Sequence, residues 1–559
     1  MSAALLRQAL QADLSTTAAT ALLLGVLFHH SIRPIEIDFK LWTLFGISIA
    51  LNLVLFGSLV SQAGFGVTAA VGKTALVNAA FNVGLFGSIA IYRLYFHRLH
   101  CFPGPWGAKL SRLWALRVAA KNVRFAFEVE KLHKQYGDFV RIGPREISIN
   151  RASAIQAIYG PRSKLLKSTF YSQVSPDDRR CGLNATRNMD SHRRRRKAWD
   201  RAFSTKGELE AGRPKTQDCD TANCLFLSQI AAQKGQPLDI TKWAMYYTFD
   251  VMGDVGLGKD FEMLTQETEH AAVKGLHDHM IAIGILATMP WLVNVLGTIP
   301  GVAGSYKAFF DYCSNQLREK QKTTSKDQDP RDIISWLLKA KYEGDGSAPP
   351  GDAAMGEDSR LLIVAGSDTT AAALANTFYF LAKNPPVLRK LQGYLDKLCP
   401  NGVRDWSYAK MKFPYLDHII NETLRLKPPV PSGLPRITPP EGIQIDEVYI
   451  PGDTIVAVPT HTIQRDERYY ERPLDFDPER WERISPEKSA FIPFTRGTFA
   501  CAGKNLALME LRMVLSRVAL EYDVSFAPGE NGVKFDTEVM DTYTVTLPPL
   551  HLCFTPRKE

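Results

Sequence analysis

The chain has 559 residues, with 67 Lys and Arg against 58 Asp and Glu and hence a formal net charge of +9. Hydrophobic residues make up 45% and charged residues 22%, which excludes a disordered chain, a collagen and a coiled coil. Eight cysteines in this length are too few for a disulfide scaffold and favour a reducing compartment for the soluble part.

The first hundred residues hold the longest apolar stretches. Residues 41–60 and 74–92 contain no Asp, Glu, Lys or Arg, and each is close to the roughly 20 apolar residues that cross a bilayer core. A weaker stretch, residues 16–30, predicts a third span, with a signal peptide or a buried or interfacial helix as the alternatives. Residues 1–100 therefore predict a multi-span membrane anchor.

The basic residues predict how this anchor is oriented. Arg93, Arg98, Lys109 and Arg112 follow the last span, and such a cluster favours the cytoplasmic side. Lys73 is the only basic residue expected in the loop between the second and third spans. Three spans place the N-terminus in the lumen and two spans place it in the cytoplasm. In both cases residues 101–559 form a cytoplasmic body that begins at the stiff segment FPGPWG.

The most informative segment of the body is FTRGTFACAG, residues 494–503. The run KNLALMELRMVLSRVALEY follows with the periodicity of an amphipathic helix. Cys501 is therefore expected just before a helix N-terminus, where the macrodipole and free N–H groups favour a thiolate. Gly497 and Gly503 allow the backbone to approach a flat partner. The segment predicts a ligating cysteine, with a buried structural cysteine as the alternative.

Two other helices carry polar groups in apolar surroundings. Glu422 and Arg425 share one face of the helix FPYLDHIINETLRL, where a buried pair needs further donors; Arg480 of the segment PERW is the candidate. Asp368 and Thr369 lie in the middle of LLIVAGSDTTAAALANTFYFLA, where an acid is costly. Both pairs are predicted to be functional. The alternative for Glu422 and Arg425 is a solvated surface pair, and for Asp368 and Thr369 it is a polar patch that faces a loop.

A strongly basic segment, DSHRRRRKAWDRAFS (residues 190–204), divides into two faces at helical spacing. One face has His192, Arg196, Trp199 and Phe203, and another has Arg193, Lys197 and Arg201. The first face is predicted to bind buried carboxylates through charge-assisted hydrogen bonds, and the second to meet an acidic protein. A nuclear signal conflicts with the membrane anchor.

Together these motifs resemble those of the cytochrome P450 family, from about Pro103 to the end of the chain. The multi-span anchor and the PGP elbow are similar to fungal membrane-bound members of secondary metabolism. The resemblance implies a fold that is mainly α with small β-sheets, behind the N-terminal anchor. The alternating segments GDFVRIGPREISIN and YIPGDTIVAVP are the strand candidates.

The resemblance also implies haem b, with Cys501 as its axial thiolate. Glu422, Arg425 and Arg480 would form the family's structural triad. Asp368 and Thr369 match the catalytic pair that delivers protons to bound dioxygen. The matching motifs also imply which residues contact the haem. The propionates would be bound by His192, Arg196 and Arg436, and the space above the iron would be left open by Ala365 and Gly366. The loop around the cysteine would contribute Phe494, Gly497 and Gly503.

One position departs from the family pattern. The family usually has a basic residue two positions before the cysteine, and this chain has Phe499. One propionate contact is therefore left without an assigned residue. Arg496 is the nearest basic residue in sequence.

The implied activity is a monooxygenase that inserts one atom of O2 into a lipophilic, secondary-metabolite substrate at the endoplasmic reticulum membrane. No nucleotide-binding fingerprint precedes a helix, so NADPH-derived electrons would come through a separate NADPH-cytochrome P450 reductase; no nucleic-acid partner is expected. The segment 280–297 is a candidate lid, with a core segment as the alternative. Phe170–Asp190 and the turn near Tyr543 are candidate substrate walls. The alternatives are an isomerase or dehydratase of the same fold, and a membrane haem-binding sensor or transporter.

Overall fold

The computed structural model describes residues 3–35, 40–172, 177–204, 215–297, 299, 301, 304–325 and 328–557. The N-terminal half of this mainly helical structure contains the helices α1 (Ala3–Leu10), α2 (Leu14–Ile32), α3 (Leu41–Ser61), α4 (Val67–Ile91), α5 (Trp106–Leu110), α6 (Leu113–Asn122), α7 (Phe125–Tyr136), α8 (Ala152–Tyr159), α9 (Met189–Ala202), α10 (Lys215–Ala232), α11 (Ile240–Leu257), α12 (Met263–Gln266) and α13 (Ala271–His277). The C-terminal half continues with α14 (Met280–Leu286), α15 (Pro290–Gly297), α16 (Gly304–Thr323), α17 (Ile333–Tyr342), α18 (Asp352–Lys383), α19 (Pro385–Leu398), α20 (Pro414–Leu426), α21 (Thr460–Ile463), α22 (Arg480–Arg483), α23 (Lys504–Glu521) and α24 (Val533–Thr537).

The strands are short and form small sheets. They are β1 (Phe139–Gly143), β2 (Glu146–Ile149), β3 (Leu166–Lys167), β4 (Leu238–Asp239), β5 (Arg436–Ile437), β6 (Ile443–Ile445), β7 (Val448–Ile450), β8 (Ile455–Ala457), β9 (Tyr522–Phe526), β10 (Met540–Thr542), β11 (Thr544–Thr546) and β12 (His551–Pro556). The predicted fold class is therefore confirmed. The two segments with alternating residues form β1–β2 and β7–β8, as predicted.

Three N-terminal helices are long and apolar enough to cross a membrane: α2, α3 and α4, the last continuing to Phe96. They correspond to the predicted spans 16–30, 41–60 and 74–92, but α4 begins earlier, at Val67. Helix α18 is also long and apolar enough to cross a membrane, yet 67% of its most apolar 18-residue stretch is buried inside the protein. It is the central helix of the body, so the candidate membrane segments are the N-terminal ones.

The weakest predicted span, α2, packs closely on α4. A Cβ atom added at Gly25 would lie 2.1 Å from the carbonyl oxygen of Phe81, and one at Gly84 would lie 2.1 Å from that of Leu22. His29 Nδ1 and Ser88 Oγ are 2.8 Å apart across the same pair. Small residues at a close crossing and an interhelical hydrogen bond are typical of helix pairs in membranes.

The position of Lys73 corrects the sequence analysis. The expected loop between the second and third spans is shorter, and Lys73 lies inside α4. Its side chain is buried, and its Nζ donates to the carbonyl oxygens of Leu10 at 2.7 Å and Ala12 at 2.6 Å. The lysine therefore binds one carbonyl group at the end of α1 and one just beyond it.

The main sheet has the strand order β1-β2-β8-β5-β3, with β2 and β8 parallel and the other pairs antiparallel. In its last pair, Lys167 on β3 lies directly opposite Arg436 on β5. Helix α18 runs through the core and packs against α11, α16, α20 and α23. These elements bring the sequence motifs to one region of the body.

Candidate active site

Cys501 lies immediately before α23, as its sequence context predicts. Gly503 is the N-cap of the helix, and the Cys501 N–H donates to the Phe494 carbonyl at 3.0 Å. The cysteine is accessible, yet the surrounding protein desolvates its thiol. This burial raises the pKa of Cys501, whereas the N–H groups of Gly503 and Lys504 lower it. In the chain alone, desolvation therefore outweighs the expected effect of the helix N-terminus.

The glycines of this loop serve different contacts. Gly497 has φ +66°, and a Cβ there would lie 2.4 Å from the Tyr159 carbonyl oxygen. This glycine therefore allows a close approach to the end of α8, and its approach to a flat ligand stays a prediction. A Cβ at Gly503 would lie 3.7 Å from the Phe203 ring, an ordinary contact.

Helix α9 presents the two predicted faces. His192 is buried with its ring centroid 4.7 Å from that of Phe499, and its Nδ1 has no partner among the described residues. Burial, together with nearby cations, lowers the pKa of His192 to about 3. Arg196 donates to the Ala500 carbonyl at 2.5 Å and to Asp200 at 2.6 Å. Arg193 and Lys197 are exposed on the other side.

Sequence reasoning missed Arg195 on the same helix. It is 2% exposed and its Nη2 lies 3.0 Å from Oδ2 of Asp358, which is 0% exposed. Asp358 also accepts from the Leu183 N–H at 2.6 Å. Within the protein, α9 thus binds the buried carboxylate of Asp358 through Arg195. Because Asp358 is distant in sequence, local spacing gives no signal for the pair.

Arg436 and Lys167 extend this basic region from the main sheet. Arg436 is 1% exposed; its Nη1 lies 3.0 Å from the Tyr171 hydroxyl, and its Nε has no partner among the described residues. Lys167 is 2% exposed and was not identified from the sequence, because a two-residue strand has no periodicity to mark it. Both cations lie over the ring of Phe499, at 4.8 Å for Lys167 and 4.9 Å for Arg436.

Arg496 does not point into this region. Its Nη2 donates to the carbonyl oxygens of Ser489 at 2.9 Å, Phe491 at 3.2 Å and Pro486 at 3.3 Å. These bonds fix the loop before the cysteine. Arg496 therefore does not replace the basic residue that is absent at Phe499.

One residue in the middle of α18 is exposed to solvent. Ala365 is exposed although the helix crosses the core. Gly366 faces α11, where an added Cβ would lie 2.5 Å from Sδ of Met252, so this glycine allows α18 to pack closely on α11. Its expected role in the space beside Ala365 stays a prediction. Thr369 Oγ1 donates to the Ala365 carbonyl at 2.8 Å, and Thr370 is buried.

Asp368 makes a contact that the sequence did not predict. Its Oδ1 lies 3.4 Å from Nε2 of His277, and Nδ1 of His277 hydrogen-bonds to Glu269. Oδ2 of Asp368 is buried without a partner among the described residues. A cavity of about 360 Å³ borders all three residues. Asp368 is thus connected, through a titratable ring, to a second carboxylate.

The structure brings Glu422, Arg425 and Arg480 together in a buried cluster. Arg425 binds both carboxylate oxygens of Glu422, at 2.8 and 2.9 Å, and Arg480 Nε lies 3.3 Å from Oε1. Trp481 Nε1 and the Asp477 N–H also donate to Glu422, at 3.1 and 3.0 Å. Since the remaining arginine donors bind backbone carbonyls, the buried charges are satisfied.

The candidate substrate walls also meet. The rings of Phe170 and Tyr543 are 5.3 Å apart, and Tyr543 has the unusual φ of 82° at the turn between β10 and β11. Helix α14, from the predicted lid, packs on β10: a Cβ at Gly284 would lie 2.9 Å from the Asp541 carbonyl oxygen. Helix α15 lies against α3, so the lid segment connects the body to the anchor.

These residues suit a ligand that combines a metal with carboxylates. Cys501 is solvent-accessible. His192 and Arg436 have buried nitrogens without a partner among the described residues. Both of them and Lys167 contact Phe499, which stands two positions before the cysteine. Buried donors without partners are costly. The set therefore fits an anionic cofactor of the haem type.

Comparison with known proteins gives concordant matches. The family model described as "Cytochrome P450" matches residues 105–554. The chain is 39% identical over 493 residues to cytochrome P450 monooxygenase orf5 of Eupenicillium brefeldianum, covering 87% of this chain and 98% of that protein. It is 38% identical over 494 residues to monooxygenase FCK2 of Fusarium pseudograminearum (87% and 88% covered), and 34% identical over 466 residues to tryprostatin B 6-hydroxylase of Aspergillus fumigatus (82% and 81%).

Proposed function

Because the chain belongs to the cytochrome P450 family, we propose that it is a membrane-anchored haem-thiolate monooxygenase of fungal-type secondary metabolism. Its electrons come from NADPH through a separate reductase, and its substrate is a lipophilic small molecule. The anchor is multi-pass in the endoplasmic reticulum, with residues 101–559 on the cytoplasmic side. The relatives named as monooxygenases and as a hydroxylase support this class of reaction.

The observation that supports the proposal most strongly is the accessible cysteine near Arg436 and Lys167, two buried basic residues for which the described residues provide no carboxylate partner. Cys501 is the proposed axial ligand, and Phe494, Gly497 and Gly503 shape its loop. His192, Arg196 and Arg436 are the proposed partners of the haem carboxylates. When bound, the haem iron supplies dioxygen activation and transfer of one oxygen atom to the substrate.

Thr369 and Asp368 of α18 are the proposed proton donors of the site. Thr369 Oγ1 donates to the Ala365 carbonyl in this structure, and rotation of this hydroxyl would direct its proton to the open side next to Ala365. Asp368, the adjacent acid, can return a proton to that hydroxyl, and His277 and Glu269 connect Asp368 to the bordering cavity. A hydroxyl backed by an acid is a suitable general acid pair.

Cys501→Ser tests the proposed ligand. The full-length protein should show the absorption band expected of a thiolate-ligated ferrous carbon monoxide complex, and the variant should lose it, because an alcohol does not replace the thiolate. Cys553→Ser, which changes a partly exposed cysteine elsewhere, is the matched control. A persistent band in Cys501→Ser would assign the ligand elsewhere.

Thr369→Ala separates a monooxygenase from an isomerase or dehydratase of the same fold. The variant should keep its haem and its substrate binding, but product formed per NADPH should fall about a hundredfold, at the lower end of the contribution of about 10²–10⁴ that is usual for a positioned proton donor. Product, peroxide and NADPH are measured together, with Thr370→Ala as the control. Product that forms at the same yield without NADPH would support the isomerase.

A further inference from the structure

Lys167 is a buried lysine without a carboxylate partner. It is 2% exposed, and its Nζ donates to the Leu183 carbonyl at 3.0 Å. Among the described residues, no carboxylate forms an ion pair with it. A fully buried lysine is rarely left unpaired, so this position requires an explanation.

The surroundings of Lys167 make its burial more costly. In the β3–β5 pair it lies directly opposite Arg436, and like charges at directly opposed positions of antiparallel strands destabilise the pair. Desolvation and the charge of Arg436 hold the pKa of Lys167 well below its ordinary value. Arg195 and Arg196 also lower its pKa, whereas the thiol of Cys181 raises it, and Lys167 in turn acts on His192. Asp358, the buried acid nearby, is already bound by Arg195.

Phe499 connects this lysine to the cysteine loop. The ring stands two residues before Cys501, and Lys167, Arg436 and His192 all contact it, at 4.8, 4.9 and 4.7 Å. Lys167 therefore reaches the position at which the family pattern has a basic side chain. The basic side chain is therefore supplied by strand β3 and not by the cysteine loop.

We propose that Lys167 binds a carboxylate of the haem and takes the place of the basic residue that is absent at position 499. A carboxylate at this point would be shared by Lys167 and the unpartnered nitrogens of Arg436 and His192. It would neutralise cations that otherwise repel one another, through charge-assisted hydrogen bonds. This inference rests on the proposed haem-thiolate function.

The test measures loss of haem, not turnover. Detergent-solubilised full-length holoprotein is mixed with excess apomyoglobin, and transfer of haem is followed by absorbance. Lys167→Met should lose haem about ten- to a hundredfold faster, because a buried hydrogen bond to a charged group contributes about 1.5–3 kcal/mol. Lys167→Arg should remain close to wild type. Lys164→Met, an exposed lysine on the same segment, is the matched control.

A second variant distinguishes haem binding from a structural role. In Lys167→Met/Phe499→Arg, the new guanidinium restores a cation at the same place. The rate of haem loss should therefore return to within about threefold of wild type, well below the ten- to hundredfold increase expected of the single variant. A lysine that only holds the Leu183 carbonyl would not be rescued in this way. Unchanged haem loss in Lys167→Met, failure of the rescue, or failure of both variants to fold would overturn the proposal.

The wild-type protein separates this inference from the proposed function. If wild type carries haem with the thiolate-type spectrum and Lys167→Met loses it at the wild-type rate, Lys167 alone is wrongly assigned. If wild type carries no such haem, the proposed function itself fails and the inference fails with it.

Discussion

His277 is the residue that joins Asp368 on the central helix to Glu269 on another segment. Burial lowers the pKa of His277, but the hydrogen bonds and charges of the two carboxylates raise it more, so that the pKa is about 9 instead of 6.5. The folded protein thus retains a proton that the unfolded chain releases as pH rises above about 6.5. Protonated His277 therefore stabilises the fold over a defined range of pH.

We expect this stabilisation to be complete below about pH 6.5 and to be lost as pH rises through about 9. His277→Gln should lower the free energy of unfolding by about 1–3 kcal/mol near pH 6 and by much less at about pH 10. Thermal unfolding of the solubilised holoprotein at both values measures the difference. His279→Gln, on the same segment, is the control; an equal loss at both pH values would contradict a role for the charge.

Helix α9 illustrates what sequence spacing can predict. The periods of three and four residues placed His192 and Arg196 on one side and Arg193 and Lys197 on the other, and the burial in the structure follows this division. Spacing also located Cys501 before its helix, because a long amphipathic run is a local signal. Helices α20 and α23 were predictable for the same reason.

Contacts between distant segments were not predictable from these patterns. Arg195 differs from its neighbours only because Asp358, on α18, comes to lie beside it, and Lys167 matters only because β3 pairs with β5. The partners of Asp368 and the packing role of Gly366 likewise depend on which helix lies opposite. Such pairings are set by tertiary packing, which a local period does not encode.

The exposed face of α9 carries a prediction of its own. Arg193→Glu/Lys197→Glu should slow electron transfer from the reductase about tenfold at low salt and less at high salt, because exposed charges are screened, while haem content stays unchanged. Stopped-flow reduction under carbon monoxide measures the rate. Lys131→Glu/Lys134→Glu on α7 reverses two exposed charges elsewhere and is the control; equal slowing in both would contradict a specific docking face.

At the scale of the whole molecule, the anchor and the body share buried contacts. Arg141 on β1 is 0% exposed, and its guanidinium donates to the carbonyl oxygens of Arg93 at 3.1 Å, Leu99 at 3.3 Å and Pro144 at 2.7 Å. Leu99 itself belongs to the core of the body. We therefore expect residues before the predicted boundary at residue 101 to contribute to the stability of the body.

A protein that starts at Phe102 should accordingly be less stable than one that starts at Tyr92. Loss of two carbonyl partners leaves a buried charged donor unsatisfied, which costs about 1–3 kcal/mol. Both proteins are compared by thermal unfolding with haem bound, and Arg141→Met in each should narrow the difference. Equal unfolding midpoints for the two unsubstituted proteins would place the boundary at residue 101 after all.

The contact between helix α15 and membrane helix α3 has a kinetic consequence. An apolar substrate that reaches the body along this contact is drawn from the lipid phase, so the concentration that matters is its mole fraction in the bilayer. Adding empty vesicles then lowers the mole fraction of the substrate in the bilayer, although its total concentration in the sample is unchanged. For the proposed lipophilic substrate, the apparent KM expressed per volume should therefore rise in proportion to the lipid present, while the KM expressed per lipid should stay the same.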